Sequence, residues 1–256
     1  MAQLGTSKPL TIYNVTLGDG HPKICIPVMG RNEAEVLASA DAALSAKPDL
    51  VEWRLDHLTD LSQKSLDPIL VKLRRTFEQV PLLITFRTKA EGGQKELDLV
   101  DYINLLTRVM MSGLADLVDV ELFSGAAPQL IACAHRNGVR VICSNHDFQH
   151  TPKEVELLER LERMYELGCD IPKIAVMPQT TSDVLTLLSA TAQMHERHPG
   201  LPIITMSMGA MGSVSRVSGA LFGSAVTFGC AGQPSAPGQI PAKQLREMLS
   251  LLDCNN

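Results

Sequence analysis

The sequence predicts an α/β protein, a (β/α)₈ barrel, from three observations. First, eight short apolar runs typical of buried strands alternate with longer segments of helical periodicity. Second, these runs recur about every 30 residues, the length of one strand–helix unit of such a barrel. Third, no Pro-, Ser- or Gly-rich linker divides the chain, so we predict a single domain over residues 1–256. An open, doubly wound sheet is the alternative, because alternation alone does not show whether the sheet closes.

The predicted strands follow a short N-terminal hairpin. A polar lead occupies residues 1–10, and residues 11–22 predict a hairpin that closes the bottom of the barrel, with its turn at 18–20. The eight apolar runs are KICIPVM (23–29), DLVEWRL (49–55), PLLITFR (81–87), DLVDVEL (116–122), VRVICSN (139–145), IPKIAVM (171–177), PIITMSM (202–208) and AVTFG (225–229).

Helical periodicity is clearest in five of the intervening segments, at 32–46, 96–113, 151–168, 180–200 and 241–252. The third of these carries the strongest terminal signals. Thr151 is expected to cap it, with Pro152 at its first helical position and Gly168 just past its end. These segments predict the helices that cover the outside of the barrel.

Composition and charge exclude several kinds of partner. The chain is 45% hydrophobic and 20% charged, which is ordinary for a globular protein, and its net charge is −5. Without a basic stripe, nucleic acid and anionic membranes are not expected as partners. No apolar run is long enough to span a bilayer and the first residues lack a signal-peptide pattern, so we expect a cytoplasmic protein. The six cysteines are scattered without a CxxC pair, so no disulfide framework or metal site is expected.

Charged side chains recur on one face of several predicted strands. Because side chains alternate across a strand, Glu52, Arg54 and Asp56 lie on the face opposite to the apolar residues of VEWRLD. Barrel interiors are normally filled by branched apolar residues, and charges persist there only when they are paired or bind a ligand. A structural ion-pair network is one interpretation, and an active site at the carboxyl ends of the strands is the other. The same parity turns further polar side chains inward, namely Thr85, Arg87, Asp119, Glu121, Ser144 and His146.

Lys173 stands inside an otherwise apolar strand, in the stretch DIPKIAVMP (170–178). It shares its parity with Ala175 and Met177, so it is expected to point into the barrel. Apolar walls and neighbouring arginines would disfavour an ammonium there, and a neutral amine attacks carbonyl carbon to form a Schiff base. The structural alternative is a lysine that reaches the barrel floor or pairs with Glu121.

His146 ends the fifth predicted strand, in SNHDF (144–148). Histidine is the usual acid or base near neutral pH, so catalysis is one interpretation and a hydrogen-bonded core imidazole is the other. Asp147 and His150 are nearby in sequence, but Asp147 points the opposite way and no further ligand set is present. The pattern therefore does not favour a metal.

Two segments late in the chain have the composition of ligand-binding loops. The glycine-rich stretch SMGAMGSVSR (207–216) leads into a helix with Arg216, a cation suited to a carboxylate or phosphate. The stretch AGQPSAPGQI (231–240) contains Ser235 and Gln239 between Pro and Gly residues. We expect it to form a loop that covers the substrate.

Taken together, the motifs resemble the type I 3-dehydroquinate dehydratase family. The resemblance implies a (β/α)₈ barrel that forms a homodimer and works without cofactor or metal. It also implies a hydro-lyase whose substrate is 3-dehydroquinate and whose product is 3-dehydroshikimate, in aromatic amino acid biosynthesis or quinate catabolism. The matching stretches are EWRLDH (52–57), TFRTKAEGG (85–93), DVELF (119–123), SNHDF (144–148), DIPKIAVMPQTTSDVLTLL (170–188), ITMSMG (204–209), GSVSR (212–216) and SAPGQI (235–240).

The resemblance also implies a role for each matching residue. Lys173 would form an imine with the C3 ketone. His146, oriented by Glu91, would remove the C2 proton and assist departure of the C1 hydroxyl as water. Arg216 would bind the substrate carboxylate with the help of Ser235 and Gln239. Five further residues would contact the ring, Glu52, Arg54 and Arg87 at its hydroxyls and Met206 and Met208 at its apolar face.

Two other functions stay open from the residues alone. One is another lysine Schiff-base barrel, such as an aldolase, which would cleave a carbon–carbon bond. The pair Glu52 and Arg54 favours a polyhydroxy carboxylate over the phosphorylated sugar such an enzyme usually takes. The other is a catalytically silent barrel that binds a ligand, against which the presence of both Lys173 and His146 argues.

Overall fold

A curled parallel sheet forms the centre of the computed structural model, which describes residues 9–252. Strand order follows chain order without reversal. Ile203 and Ser224, in the segments that lead into β9 (Ile204–Ser207) and β10 (Val226–Cys230), form an isolated parallel bridge. A doubly wound sheet would reverse its order, so the barrel prediction is confirmed. The parallel strands are β3 (Lys23–Val28), β4 (Leu50–Arg54), β5 (Leu82–Thr85), β6 (Leu117–Glu121), β7 (Arg140–Asp147), β8 (Ile171–Val176), β9 (Ile204–Ser207), β10 (Val226–Cys230) and the short β11 (Ile240–Pro241).

Helices alternate with these strands. Thr180 caps α6 (Thr181–Arg197) through a capping box with Asp183. Two helices were not among the five segments of clearest helical periodicity, α2 (Gln63–Phe77) and α4 (Ala127–Arg136). The first contains Pro68, normally a signal against a helix interior, and the second is short. The helices are α1 (Glu33–Ser45), α2 (Gln63–Phe77), α3 (Leu99–Met111), α4 (Ala127–Arg136), α5 (Glu154–Glu166), α6 (Thr181–Arg197), α7 (Ser213–Ser218) and α8 (Ala242–Leu251).

The predicted cap of α5 is wrong. The helix begins at Glu154, after Lys153, rather than at Thr151. The Thr151 hydroxyl donates instead to the backbone oxygen of Met177, 3.1 Å away at the end of β8. Thr151 therefore ties the β7–α5 loop to the neighbouring strand, a tertiary contact that overrides its local capping preference.

The N-terminal hairpin is present, but its turn was placed wrongly. Strands β1 (Leu10–Ile12) and β2 (Val15–Leu17) pair antiparallel around Tyr13 and Asn14, not around 18–20. Gly18 and Gly20 instead adopt positive φ angles of 87° and 93° where the chain turns towards β3. Leu17 is buried against the apolar residues inside the barrel, so the hairpin covers its bottom as predicted. Most of the predicted polar lead, and Cys254, lie outside the described residues.

Apolar side chains pack in two layers. The outer layer lies between sheet and helices and includes Val51, Trp53 and Leu55, as strand parity predicts. The inner layer fills the lower half of the barrel, so charged side chains are confined to the upper half. Its floor is built from residues at or near strand starts: Leu50, Leu83, Leu117, Ile142, Ile171 and Ile204.

Strand stagger sets the height of Lys173. It is the third residue of β8, yet it pairs in register with Ser144, the fifth residue of β7. Closing a sheet into a barrel requires this shift between neighbours. Lys173 therefore lies above the apolar floor although it is early in its own strand.

Candidate active site

Ten of the eleven predicted site residues line one cavity at the carboxyl ends of the barrel strands. These are Glu52, Arg54, Arg87, Glu91, His146, Lys173, Met206, Met208, Ser235 and Gln239; Arg216 is the exception. The prediction missed further lining residues, namely Gly92, Phe148, Ala175, Phe228 and Ala236. Apolar residues such as Phe148 and Phe228 show no sequence signal that distinguishes a cavity wall from ordinary core.

Lys173 is 3% exposed, and its amine faces carboxylates. Nζ lies 3.2 Å from Asp119 Oδ2 and 3.8 Å from Glu52 Oε1. The ring of Phe228 provides an apolar wall, with its centroid 4.6 Å from Nζ. The alternative pairing of Lys173 with Glu121 is therefore wrong. Arg87, an expected arginine neighbour, binds the other oxygen of the same Asp119 carboxylate. Ion pairing offsets part of the cost of burying the amine.

Arg87 connects the charges inside the barrel. Its guanidinium donates to Asp119 Oδ1 at 2.7 Å, to Glu121 Oε1 at 2.9 Å and to Ser144 Oγ at 3.0 Å. Burial opposes its charge, but the carboxylates of Asp119 and Glu121 raise the pKa of Arg87 above its usual value. Burial likewise opposes ionisation of Asp119, and here Arg87 and Lys173 prevail and lower the pKa. Most donors of Arg87 are thus committed to a structural ion-pair network, although the residue also lines the cavity.

A second buried pair holds the other side of the cavity. Arg54 donates to both oxygens of Asp56, each at 2.8 Å, and Asp56 also accepts from the backbone nitrogen of Gln94 at 3.1 Å. Glu52 accepts from the Thr85 hydroxyl at 2.8 Å. These contacts fix the rotamers of Glu52 and Arg54 at the cavity wall. Bidentate arginine–carboxylate pairing of this kind is geometrically specific.

Glu91 reaches His146 from a short 3₁₀ turn, Lys89–Glu91, that follows β5. Two glycines make the turn possible. Gly92 has a positive φ of 86°, and a Cβ on Gly93 would lie 1.9 Å from the backbone oxygen of Arg87. The residues GG of AEGG are therefore required by close backbone approach.

The carboxylate of Glu91 binds His146 twice. Oε2 accepts from the backbone nitrogen of His146 and lies 2.9 Å from the ring Nδ1. Burial raises the pKa of Glu91 to about 7. Burial, together with the positive charges of Arg87, Lys173 and Arg54, lowers the pKa of His146 well below its usual value. When Glu91 is ionised, the neutral ring donates its Nδ1 proton to it, and Nε2 is left as a base.

Arg216 lies on α7 beside the cavity and is 2% exposed. Nη2 donates to the backbone oxygen of Pro237 at 3.0 Å and Nη1 to that of Phe228 at 3.4 Å. Within residues 9–252 its Nε has no hydrogen-bond partner, and no carboxylate is among the groups that shift its pKa. Burial lowers the pKa of Arg216 to about 10. A buried cation with unmet donors is suited to an anionic ligand.

Segment 231–240 lies over the cavity. Ser235 and Gln239 bind each other, the Ser235 backbone nitrogen donating to Gln239 Oε1 at 2.7 Å and Gln239 Nε2 donating to Ser235 Oγ at 2.9 Å. Pro237 anchors the segment, because its oxygen accepts from Arg216 and, at 3.2 Å, from the nitrogen of Gly209. Gly238 has a φ of 76°, and a Cβ there would lie 2.3 Å from the Gly209 oxygen.

Neither membrane-spanning helices nor metal clusters occur in the part of the chain that the structure describes. No helix within 9–252 has the length and apolar character needed to cross a membrane. In the same range, no group of three or more His, Cys, Asp or Glu side chains is arranged to hold a metal ion. The five cysteines found there are free thiols.

Comparison with known proteins gives one consistent result. Residues 24–256 match the model of the family described as type I 3-dehydroquinase. The 3-dehydroquinate dehydratase of Klebsiella pneumoniae (strain 342) is 47% identical over 246 residues, covering 95% of this chain and 98% of that protein. The corresponding protein of Clostridioides difficile (strain 630) is 46% identical over 248 residues, with 96% and 97% covered.

Solved structures agree with these matches. The crystal structure of the type I 3-dehydroquinate dehydratase from Clostridium difficile with covalently modified comenic acid aligns with a TM-score of 0.92 at 45% identity, covering 96% of this chain and 98% of that one. The 3-dehydroquinate dehydratase from Geobacillus kaustophilus HTA426 aligns with a TM-score of 0.93 at 38% identity, covering 96% and 97%.

Proposed function

The chain belongs to the type I 3-dehydroquinase family, and from this premise we propose that it removes water from 3-dehydroquinate through an imine on Lys173, giving 3-dehydroshikimate. The observation that carries the proposal is the shared cavity of Lys173 and His146. It combines a buried primary amine with an imidazole whose Nε2 is free to act as a base. These are the two groups that β-elimination from a hydroxy ketone through an imine requires.

Imine formation begins at the amine of Lys173. Nζ attacks the C3 carbonyl carbon, and the carbonyl oxygen leaves as water. The amine must be free of its third proton to attack, and Asp119 Oδ2, 3.2 Å away, is the acceptor within reach. The protonated imine then draws electrons from the adjacent carbon, which acidifies the C2 proton.

His146 completes the elimination. Nε2 takes the C2 proton, the C2 electron pair moves towards the iminium nitrogen, and its return expels the C1 hydroxyl, which leaves as water with the proton from His146. Hydrolysis of the imine then releases the enone and restores the amine. Glu91 keeps the ring oriented throughout, since its Oε2 accepts hydrogen bonds from the backbone nitrogen and from the ring Nδ1 of His146.

The remaining predicted residues would bind the substrate. Arg216 supplies a buried cation for the carboxylate, which would compete with the Pro237 oxygen for its donors. Glu52, Arg54, Arg87, Ser235 and Gln239 offer polar groups to the hydroxyls, and Met206 and Met208 form an apolar wall. We extend the proposal to a single-domain, cytoplasmic homodimer without cofactor, serving aromatic amino acid biosynthesis or quinate catabolism.

Borohydride trapping tests the proposal. The protein is incubated with 3-dehydroquinate while the ultraviolet absorbance of the enone product is followed, and the incubation is repeated with sodium borohydride. We expect turnover without borohydride, and inactivation with it accompanied by a substrate-derived adduct on the peptide that carries Lys173. Lys173→Met should abolish both, whereas Lys153→Met, an exposed lysine in a neighbouring loop, should change neither.

Two results would count against it. Turnover without an adduct would rule out the imine mechanism. The absence of both turnover and adduct would rule out the assigned reaction. An adduct on another lysine would move the nucleophile away from the barrel interior.

A further inference from the structure

Two residues outside the cavity hold Glu91 in place. Asn145 directly precedes His146 on β7, faces away from the barrel interior by strand alternation, and is 6% exposed. Its Nδ2 donates to Glu91 Oε1 at 3.1 Å, and its Oδ1 accepts from Arg160 Nη1 at 2.6 Å. Neither Asn145 nor Arg160 lines the cavity.

Arg160 is itself clamped on the outer helix α5. Its Nη2 donates to Glu156 one turn earlier, and its guanidinium lies 5.6 Å from the centroid of the Phe123 ring. Cation–π contact and the i,i+4 ion pair together restrict the rotamers of a long side chain. The guanidinium is therefore presented to Asn145 in a fixed orientation.

The chemistry of these groups allows one direction for the chain of hydrogen bonds. Arginine has donors and no acceptor, so the oxygen of the Asn145 amide must face Arg160. The amide nitrogen then must face Glu91, and it donates to Oε1. Oε2 is left to accept from His146. The orientation of the Asn145 amide is therefore determined by its two partners.

We propose that Asn145 and Arg160 are positioning residues for the reaction: through Glu91 they keep the proton of His146 on Nδ1 and leave Nε2 as the base. This inference rests on the proposed function. Asn145 donates to the ionised form of Glu91 and so favours the carboxylate that the imidazole needs as its acceptor. Without it, Oε1 would lose a buried donor and the carboxyl could take up a proton or rotate away from the ring.

The charges that face the pair set the sign of the effect. Burial is the largest influence on the pKa of Glu91 and raises it. The carboxylates of Glu121 and Asp119 also raise this pKa, whereas the charge of Arg87 and the hydrogen bond from Asn145 lower it. Removing the Asn145 donor therefore shifts ionisation of Glu91 to higher pH. The acid limb of the rate profile should move with it, since the base is active only when Glu91 accepts from the ring. The cations around His146 are Arg87, Lys173 and Arg54.

The test uses pH profiles of kcat in three variants. Asn145→Ala should lower kcat about tenfold at pH 7, move its acid limb up by about one pH unit, and change KM less than about twofold. Arg160→Met keeps an apolar stem against Phe123 but cannot donate, so it should shift the limb in the same direction by about half as much. Arg160→Lys, whose ammonium can still donate to Asn145 but lacks the planar fork, should shift the limb less than Arg160→Met.

Arg163→Met is the matched control. Arg163 lies on the same helix and also contacts the Phe123 ring, at 5.9 Å, but it is exposed and donates nothing to Asn145. It should match wild type within twofold at every pH. A merely structural role for Arg160 would instead lower kcat by the same factor at all pH values.

A second measurement does not depend on turnover. Nitrogen-15 spectra of histidine-labelled protein, with His146 assigned by its absence in His146→Ala, report which ring nitrogen is protonated. We expect Nδ1–H in wild type and Arg163→Met, and a mixture of tautomers in Asn145→Ala and Arg160→Met. If wild type did not turn over 3-dehydroquinate, the proposed function would fail while these spectra still decided the positioning role. Unchanged spectra, or an unmoved acid limb in an active enzyme, would overturn the inference.

Discussion

Glu91 and His146 are joined at two points by one oxygen: Oε2 lies 2.9 Å from the backbone nitrogen of His146 and 2.9 Å from its ring Nδ1. The carboxylate therefore fixes the ring relative to the strand that carries it, not only the ring itself. Because both groups are buried, each resists becoming charged. Their shared protonation connects the stability of the fold to the activity of the site.

Replacing Glu91 should change how stability depends on pH. Burial raises the pKa of Glu91 to about 7 from 4.5, so the folded state favours the protonated form. The stabilising contribution of that proton is fully present below about pH 4.5 and is lost as pH rises through about 7. Such a shift corresponds to a loss on the order of 3 kcal/mol. Glu91→Gln, which cannot ionise, should therefore gain stability relative to wild type between pH 5 and pH 8.

Urea unfolding of wild type and Glu91→Gln at pH 5 and pH 8 measures this difference in the free energy of unfolding. The same substitution should also remove the acid limb of kcat near pH 7. A constant difference in unfolding free energy between pH 5 and pH 8 would show that Glu91 is ionised in the folded protein at both.

His146→Ala should separate imine formation from elimination. Loss of a positioned base typically costs 10²- to 10⁴-fold, so turnover should fall by roughly that factor. The amine of Lys173 keeps its contacts to Asp119 and Glu52, and borohydride should still attach substrate to it. Mass spectrometry of the trapped protein measures this. The control is His150→Ala, at a largely exposed histidine that contacts Asp147, and this variant should turn over normally. Near-normal turnover of His146→Ala would exclude His146 as the base.

Arg87 should be essential for stability. Arg87→Met leaves Asp119 and Glu121 buried without their main cation, and breaking a buried pair in this way typically costs about 3–5 kcal/mol. The same substitution at Arg197, whose side chain is 48% exposed and lies 3.3 Å from Glu162, should cost under about 1 kcal/mol. Urea unfolding of the two variants gives the comparison. Equal losses would mean that the barrel network contributes no more than a surface pair.

Segment 231–240, which lies over the cavity, should tolerate an alanine at Gly232 but not at Gly238. Gly238→Ala would place a Cβ 2.3 Å from the Gly209 oxygen at a φ of 76°, so the segment should lift from the Gly209 loop that precedes α7. We expect kcat/KM to fall about tenfold or more, with Tm changed by only a few degrees because the loop adds little core. Gly232→Ala, in the same segment with nothing within 4 Å of the added carbon, should behave as wild type. Steady-state kinetics and thermal melts of both variants test this, and a normal Gly238→Ala enzyme would show that the contact with Gly209 is unimportant for activity.

Local patterns predicted most of the barrel. All eight parallel strands around the barrel appear where apolar runs were found, because burial on both faces leaves a continuous apolar signature. Polar parity also identified the inward side chains correctly. A local signal failed where a distant contact competed with it, as at Thr151, which bonds Met177 instead of capping α5. Pro68, normally a signal against a helix interior, lies within α2.

What the sequence determined by itself is which way each side chain points. Alternation along a strand is a property of the backbone. The inward direction of Lys173, Arg87 and His146 could therefore be predicted from the sequence without knowledge of the fold. Which groups they meet was decided only by the tertiary structure. Lys173 pairs with Asp119, 54 residues away, and Glu91 meets His146 across 55 residues. Such pairings depend on strand stagger and barrel closure, which arise from the whole sheet and leave no mark on any single segment.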